Sequence, residues 1–553
     1  DCGCGVADTD SDGDGTLDCL DNCPDDPNKT EPGDCGCGTP ESGDSDGDGI
    51  ADCIDPCPNW PYDCSEDGQT ITVAVGQSIQ DAIDAVPSGG TVAIAAGTFP
   101  LTGPLDPGGR AMTIRGPTDA DGNPTAVLDG QESTRVLICQ NGETSATVFE
   151  NLVIQNGSAS KGGGMYNSGS SPTLKNCAFT SNSASNDFGD VSGGGGMYNG
   201  NFSSPTLTGC TFTSNSASDG GGMHNASSSP TLANCTFTGN SADLGGGMHN
   251  ASSSPTLANC TFASNYAYNG GGMFNYDSSS PSLTDCTFTN NSAYYYGGGM
   301  LNDTSSSPTL ADCTFTSNSS SDPFGFGGGM YNGNSSSPTL TNCTFTGNST
   351  TTESGGGGMY NFSSSPTLTN CTFTSNSAGE DGGGMYNEGS NPTLNDCVFA
   401  GNSAESGGGA MFNYESGPIL TDCVFSGNST NGSGGGIKNE VSSSPSLENC
   451  TFTGNSAESG GAMFSESDGS LPTFAASVIC GNSLEQVAGP YSDLGGNCIS
   501  EVCDTDGDGT LDCDDLCPED PNKTEPGDCG CGIAETDTDG DGTLDCLDNC
   551  PDD

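Results

Sequence analysis

Four stretches of this chain carry carboxylates at a spacing suited to holding a cation. The first reads Asp8-Thr9-Asp10-Ser11-Asp12-Gly13-Asp14-Gly15 and is followed by Asp18 and Asp21. Alternate aspartates converge on one side of a loop and glycine permits the sharp turn, which is how a short loop wraps a hard, oxygen-seeking ion such as calcium. The pattern returns at Asp44, Asp46, Asp48, Asp52 and Asp55, then at Asp504, Asp506, Asp508, Asp512 and Asp515. A fourth copy uses Glu535, Asp537, Asp539, Asp541, Asp545 and Asp548. Several Ca2+ ions are therefore expected in the N- and C-terminal segments, with these residues as ligands. The second and third copies depart at Ser42 and at Glu501-Val502, near the first-ligand slot, so shorter ligand sets are expected there. Without calcium, such acidic segments are expected to be solvated coil.

These carboxylates flank a long repetitive middle. Gly-Gly-Gly-Met and its variants recur from residue 162, with the methionine slot at Met165, Met197, Met223, Met248, Met273, Met300, Met330, Met359, Met385, Met411, Ile437 and Met463. The steps run from 25 to 32 residues, and a second phrase keeps its place between them, as in Ser-Pro-Thr-Leu-Ala-Asn-Cys-Thr-Phe-Thr-Gly-Asn at 229–240. A fixed period of this length marks one supersecondary unit stacked many times. Period-2 pairs such as Cys235/Phe237 and Cys260/Phe262 predict short strands with one buried face, while the glycine and β-branched content excludes helix. Each unit is expected to be one rung of a parallel β-helix with three short strands. Rungs stacked about 4.8 Å apart make a rod on the order of 60 Å long from this region.

The repeat names the inward columns. Leu174, Leu207, Leu232, Leu257, Leu283 and Leu310 form one, and Phe179, Phe212, Phe237, Phe262, Phe288 and Phe315 another. Asn182, Asn215, Asn240, Asn265, Asn318 and Asn376 are expected to stack at turns, amide bonding to amide from rung to rung. One cysteine falls in each unit, from Cys177 through Cys450 to Cys480. Parallel in-register neighbours point their Cβ atoms the same way, which suits a buried thiol column and not disulfides; a metal-threaded thiolate column is the alternative. The slot after each methionine holds Tyr166, Tyr198, His224, His249, Phe274, Leu301, Tyr331, Tyr360, Tyr386, Phe412, Lys438 or Phe464. Alternation turns this stripe outward, either exposed for sugar stacking or rod packing, or covered by loops. His224 and His249 substitute for tyrosine there and, with no Cys or carboxylate seen at ligand spacing, are not expected to bind metal.

Phe-Thr-Ser-Asn at 179–182 with Gly-Gly-Gly-Met at 162–165 resembles the FxxN and GGA-aliphatic repeats of chlamydial polymorphic outer-membrane proteins and other bacterial surface β-helices. The likeness spans about residues 70–500, and no membrane β-barrel follows it within this sequence. Ser78 to Val86, an amphipathic helix, followed by Gly89-Gly90 and the strand-like 91–99, is similar to the N-terminal cap of pectin-lyase-like β-helices. A cap of this kind covers strand edges that the first rung leaves unpaired. The acidic ends lack the bidentate Glu of an EF-hand and carry Asp-Cys-x-x-x-Cys-Pro, resembling thrombospondin type 3 repeats. That resemblance implies calcium-wrapped chain with little apolar core, in which Asp18 and Asp21 complete or bridge sites and cysteines staple turns.

The expected fold is thus all-β, a right-handed parallel β-helix solenoid with a short capping helix between calcium-wrapped, disulfide-containing repeats. The boundaries are thrombospondin type 3-like repeats at 1–67, cap and first rungs at 68–160, β-helix repeats at 161–482, a C-terminal cap at 483–502 and further calcium repeats at 503–553. Composition agrees: only 31% of residues are hydrophobic and 87 are glycine, which disfavours one large globular core. A net charge of -64 repels nucleic acid and anionic lipid, so neither partner is expected. No apolar run is long enough for a membrane span, and 30 cysteines in an acidic Gly/Ser/Thr-rich chain suggest a secreted, extracellular or cell-surface protein.

Residues 528–553 match 1–26 at all but three positions, Val6/Ile533, Asp8/Glu535 and Ser11/Thr538, which predicts self-association or a tandem array building a fibre, with a plain pair of flanking spacers around one β-helix as the alternative. Lyases of the β-helix type cleave acidic polysaccharides with a basic proton acceptor and an arginine. Here the basic residues are Lys29, Arg110, Arg115, Arg135, Lys161, Lys175, Lys438 and Lys523, with none between 176 and 437. Arg110, Arg115 and Arg135 are expected to pair with Asp119, Asp121 or Asp129. On this ground the chain is expected not to be an enzyme, with no catalytic residues, but a structural or adhesive rod forming or decorating a surface fibre. The alternative is a carbohydrate-binding or polysaccharide-cleaving β-helix protein that meets glycans or cell-surface carbohydrate.

Overall fold

The computed structural model describes residues 9–41, 43–45, 50–55, 62–65, 68–185, 193–353, 355–540 and 542–547. Its body is a parallel β-helix in which each rung crosses three long sheets in turn. In the rung that starts at Met248, strand Met248–Ala251 joins a methionine-bearing sheet of fourteen strands, Thr256–Ala258 a leucine-bearing sheet of eighteen, and Thr261–Ala263 a phenylalanine-bearing sheet of sixteen. A fourth strand, Tyr266–Asn269, belongs to a narrower strip of eight that runs from Ser241–Leu244 to Ser429–Thr430. The expectation of three strands per rung misses this strip, because its segments share no side-chain pattern beyond one small inward residue.

Like residues stack on like. Met248 pairs with Met273, Leu257 with Leu283 and Phe262 with Phe288, and all of these are buried. Phe262 and Phe288 lie face to face with ring centroids 4.8 Å apart, the rung repeat itself. Sharp corners separate the sheets. Asn259, Asp285 and Asp312 occupy the corner between leucine and phenylalanine strands at positive φ, a conformation that Asn and Asp tolerate best among non-glycine residues. The glycine triplet is steric: a Cβ on Gly247 would meet the carbonyl oxygen of Gly272 at 2.5 Å and the Phe262 ring at 2.8 Å.

The expected asparagine column is present. Asn265 donates through Nδ2 to Phe237 O at 3.0 Å and to Asn291 Oδ1 at 2.9 Å. Its Oδ1 accepts from the amide N and Nδ2 of Asn240, at 3.0 and 2.9 Å. A second column, including Asn250 to Asn275 at 2.8 Å, runs along the methionine sheet, and a serine column, including Ser253 N to Ser279 Oγ at 2.9 Å, follows it. Neither was foreseen. Both do the same work, satisfying polar groups that stacking removes from water.

The thiol column is buried and free from Cys177 to Cys450. The neighbouring Cys235 thiol, then burial, push Cys260 up to about 12, so this thiol is a neutral filler at physiological pH. Cys480 is a correction to the expected column: it pairs in register with Thr453, Ser477 bonds to Cys450 N in the thiol position, and Cys480 forms a disulfide with Cys503. Other disulfides join Cys23 to Cys37 and Cys35 to Cys53 at one end, and Cys498 to Cys513, Cys517 to Cys531 and Cys529 to Cys546 at the other.

Helix Ile79–Ala85 closes the first rung, burying Ile79, Ala82 and Ile83. Ser78 caps its start by accepting from Asp81 N. Arg110 reads its C-terminal end, donating to the carbonyls of Ile83 and Val86 and lying 3.8 Å from Asp84. The expected arginine pairs are therefore not formed: Arg135 donates to Gly162 O and Lys161 O and covers the Tyr166 ring, Asp129 accepts from Gln155 and Asn156, and Arg115 stands in register with Glu150. Backbone carbonyls offered fixed, partly dry acceptors that exposed carboxylates did not. No helix among the described residues is long and apolar enough to cross a membrane.

Candidate functional site

The segment before each glycine triplet varies most in sequence, and the fold places it on the fourth strip. Alternation turns Ala267 and Ala293 inward, while Tyr266, Tyr268, Tyr294 and Tyr295 stand out, each between 37% and 47% exposed. Tyr294 and Tyr295 meet edge to face at 4.7 Å, and Tyr268 stands 5.9 Å from Tyr294. With Asp243, Leu244 and Asn269 they line an open depression of 820 Å³. Further along the same strip, Thr351, Gly379, Glu405, Asn431 and neighbouring serines line a groove of 760 Å³ rich in hydroxyl and carboxyl groups. Exposed aromatic faces beside hydrogen-bonding groups suit a ligand with both apolar and hydroxylated faces.

The aromatic column after the methionines is the covered one of the two alternatives. Tyr198, His224, His249, Phe274, Leu301, Tyr360 and Phe412 are buried, and Tyr166, Tyr331, Tyr386, Lys438 and Phe464 are half-buried. Tyr360 donates its hydroxyl to Glu388 and stacks 5.3 Å from Tyr331. The aromatics available to a ligand thus sit one strand away from the column that the repeat made conspicuous.

Where histidine replaces tyrosine, the column gathers polar groups. His224 and His249 stack with ring centroids 4.8 Å apart, and His249 Nδ1 lies 3.9 Å from Asp219 Oδ1. One donor atom from each of the three falls within 4.8 Å of the others. Lys161, Leu244, Phe274 and Tyr276 help line the adjoining pocket of 530 Å³. Burial pushes His249 down to about 4; burial, His249 and Lys161 hold His224 well below its ordinary value. Burial, then Asp243, raise Asp219 to about 6, against the pull of Lys161. The sequence signal was Asp219 itself, five residues before His224 across the glycine triplet. Asp381 occupies the same place before its own triplet and is pushed up to about 7 by burial and by Glu380 and Glu440, with Lys438 opposing.

At the ends, Asp10, Asp12 and Asp14 converge, as do Asp504, Asp506 and Asp508. Asp10 is held by Gly13 N at 2.8 Å and Gly15 N at 3.1 Å; Asp504 repeats this with Gly507 and Gly509. Buried oxygens of Asp12, Asp21 and Asp506 have no hydrogen-bond partner. Desolvation first, then neighbouring aspartates, push both up: Asp14, Asp21 and Asp10 act on Asp12, and Asp508, Asp515 and Asp504 on Asp506. This all-oxygen donor set fits calcium. The structure gives other residues different positions. Asp18, Asp52, Asp512 and Asp545 tie the loop by accepting from hydroxyls and amides seven or nine residues earlier. Asp55 is buried, and Asp537 caps Gly540 and Gly542. Glu535 bonds to Lys523 at 3.3 Å. Asp44 and Asp539 are described without joining a three-residue cluster. Asp8, Asp46, Asp48, Asp541 and Asp548 lie outside the described residues.

The family profile described as a right handed beta helix region matches residues 136–315 and 299–475. Among solved structures, a pectate lyase, Pel9A, shares 14% identity over 53% of this chain and 72% of that one, with a TM-score of 0.33. The catalytic domain of a GH87 α-1,3-glucanase in complex with nigerose shares 12% over 79% and 70%, TM-score 0.33. The Azotobacter vinelandii mannuronan C-5 epimerase AlgE6 A-module shares 15% over 76% and 94%, TM-score 0.29. A search of curated sequences finds no match. The expectation that the chain is not an enzyme is corrected here. The solved β-helices it is similar to include a lyase, a glucanase and an epimerase. The expectation also rested on missing lysine and arginine, whereas glycoside hydrolysis runs on carboxyl groups, so that absence does not exclude an enzyme.

Proposed function

Since the chain belongs to the right-handed β-helix family, we propose that this protein acts on polysaccharide outside the cell, holding a glycan chain along the fourth strip. The observation that carries the reading is the exposed group Tyr266, Tyr268, Tyr294 and Tyr295 on adjacent rungs beside Asp243 and Asn269. Sugar rings present C–H faces to aromatic planes and hydroxyls to carboxylates and amides. A flat rod extends such contacts along a polymer where a closed pocket admits only one residue of it. Disulfides near both ends support an oxidising, extracellular setting. In this reading Asp10, Asp12 and Asp14, and Asp504, Asp506 and Asp508, hold calcium in thrombospondin type 3-like segments. Those segments act as connectors between rods of a surface fibre.

Binding to acidic and neutral polysaccharides by affinity electrophoresis, with release of reducing ends followed in parallel, tests the proposal. Replacing Tyr268 and Tyr294 by alanine should weaken retention at least about tenfold and leave the circular dichroism unchanged. Equal retention by the variant, or retention of no glycan by the wild type, refutes the site.

A further inference from the structure

We infer that Asp219, His224 and His249 form a binding site for a divalent transition-metal ion of the zinc class. Two imidazoles and one carboxylate are the borderline nitrogen and oxygen donors that Zn2+ prefers, and three protein ligands leave positions for water or another ligand. The donors sit on consecutive rungs and reach one side of one pocket. His249 is only 4% exposed, yet neither of its ring nitrogens has a hydrogen-bond partner, and His224 Nδ1 has none either. An orphaned buried polar atom carries a desolvation cost that nothing here offsets. Other rungs fill the same slot with Phe274 or Tyr198, so a packing role alone gives no reason for paired histidines.

The acid is placed with equal economy. Asp219 is bridged in parallel to Gly193 and Leu244, positions that carry no charge in the flanking rungs. Here a carboxylate points at the imidazoles, with His249 Nδ1 3.9 Å away. Zinc bonded at about 2.0–2.1 Å needs its donors about 3.3 Å apart. The three are within 4.8 Å, a gap that rotation about the soft imidazole and carboxyl torsions closes. Lys161 also lines the pocket and opposes a cation, while the Asp219 carboxylate, with Asp243 close enough to act on it, offsets that charge. Both imidazoles are buried. This donor set differs from the all-oxygen clusters at the ends, and the site adjoins the exposed tyrosine group, with Leu244 lining both.

Chelator-stripped protein titrated with Zn2+ and Co2+ in excess Ca2+, which fills oxygen-only sites, tests the inference. The wild type should bind one more equivalent of Zn2+ than the H224F/H249F variant, whose phenylalanines are native to that slot at Phe274. Co2+ should give visible bands lost in the variant, and D219N should weaken Zn2+ at least about tenfold. Should the double variant fail to fold, Cu2+ on the unmutated chain decides, because its electron paramagnetic resonance should show coupling to two nitrogens. Equal zinc uptake by wild type and a folded double variant, or an oxygen-only Cu2+ signal, overturns it.

Discussion

Asp381 offers a pH test in which two physical readings predict opposite signs. Its Oδ1 is buried without a hydrogen-bond partner, and burial with Glu380 and Glu440 nearby lifts the carboxyl from 3.8 to about 7. Lys438 is close enough to oppose the shift, but its ammonium is taken by Glu440 at 2.6 Å; the half-buried Tyr386 is the remaining titratable neighbour. A folded pKa above the unfolded one means that the native state keeps a proton the unfolded chain has released. Stability from this site is therefore lost as pH rises from about 4, and the penalty is complete above about 7. Three units correspond to about 4 kcal/mol, which local relaxation reduces to about 2. D381N copies the neutral carboxyl and removes the dependence. Urea midpoints at pH 5 and pH 8, both above the isoelectric point near 4.1, should place the variant about 1.4 kcal/mol above wild type at pH 5 and about 2 at pH 8. General charge repulsion in this acidic chain cancels in the difference. A gap that stays flat, or wild type gaining over D381N as pH rises, would mean that Lys438 pairs with an ionised Asp381 and that the reasoning is wrong.

N265A strands Phe237 O and both donors of Asn240 that its Oδ1 accepts, so it should cost about 3 kcal/mol or more. N259A, at an exposed corner held at positive φ, should cost about 1–2 kcal/mol; hydrogen exchange of the adjacent rungs separates the two. C260V should change stability by less than about 1.5 kcal/mol, and native Cys260 should resist thiol reagents until the rod unfolds, since this thiol is buried filler. Removing calcium with EGTA should loosen residues 9–55 and 501–547 and spare the β-helix, as read by limited proteolysis; D12N and D506N should mimic the loss at their own ends. Equal proteolysis with and without EGTA would count against calcium.

The rod was legible in the sequence because a parallel β-helix stacks like on like. Leu257 over Leu283 and Phe262 over Phe288 must recur at one period, and asparagines such as Asn265 must recur where corners leave carbonyls unpaired. The capping helix was legible for a related reason, since Ile79, Ala82 and Ile83 keep helical spacing on one face. The convergence of Asp10, Asp12 and Asp14 was legible because the three alternate within one short loop. Cys480 was misplaced in the thiol column because its sequence spacing resembles the repeat, while strand pairing puts Ser477 in that position.

What the sequence by itself determined is the repeating core, where each residue answers to its copy one rung away. What only the tertiary structure decided is which non-repeating residues meet. The strip bearing Tyr268 and Tyr294 has no period to announce it, and the conspicuous column of Tyr360 and Phe412 proved buried because that strip and its loops fold over it. Asp219, His224 and His249 come together through a glycine-lined turn and a strand pairing 25 residues apart. Burial and proximity of that kind belong to the stacked rungs, not to any one segment, and no single rung carries them.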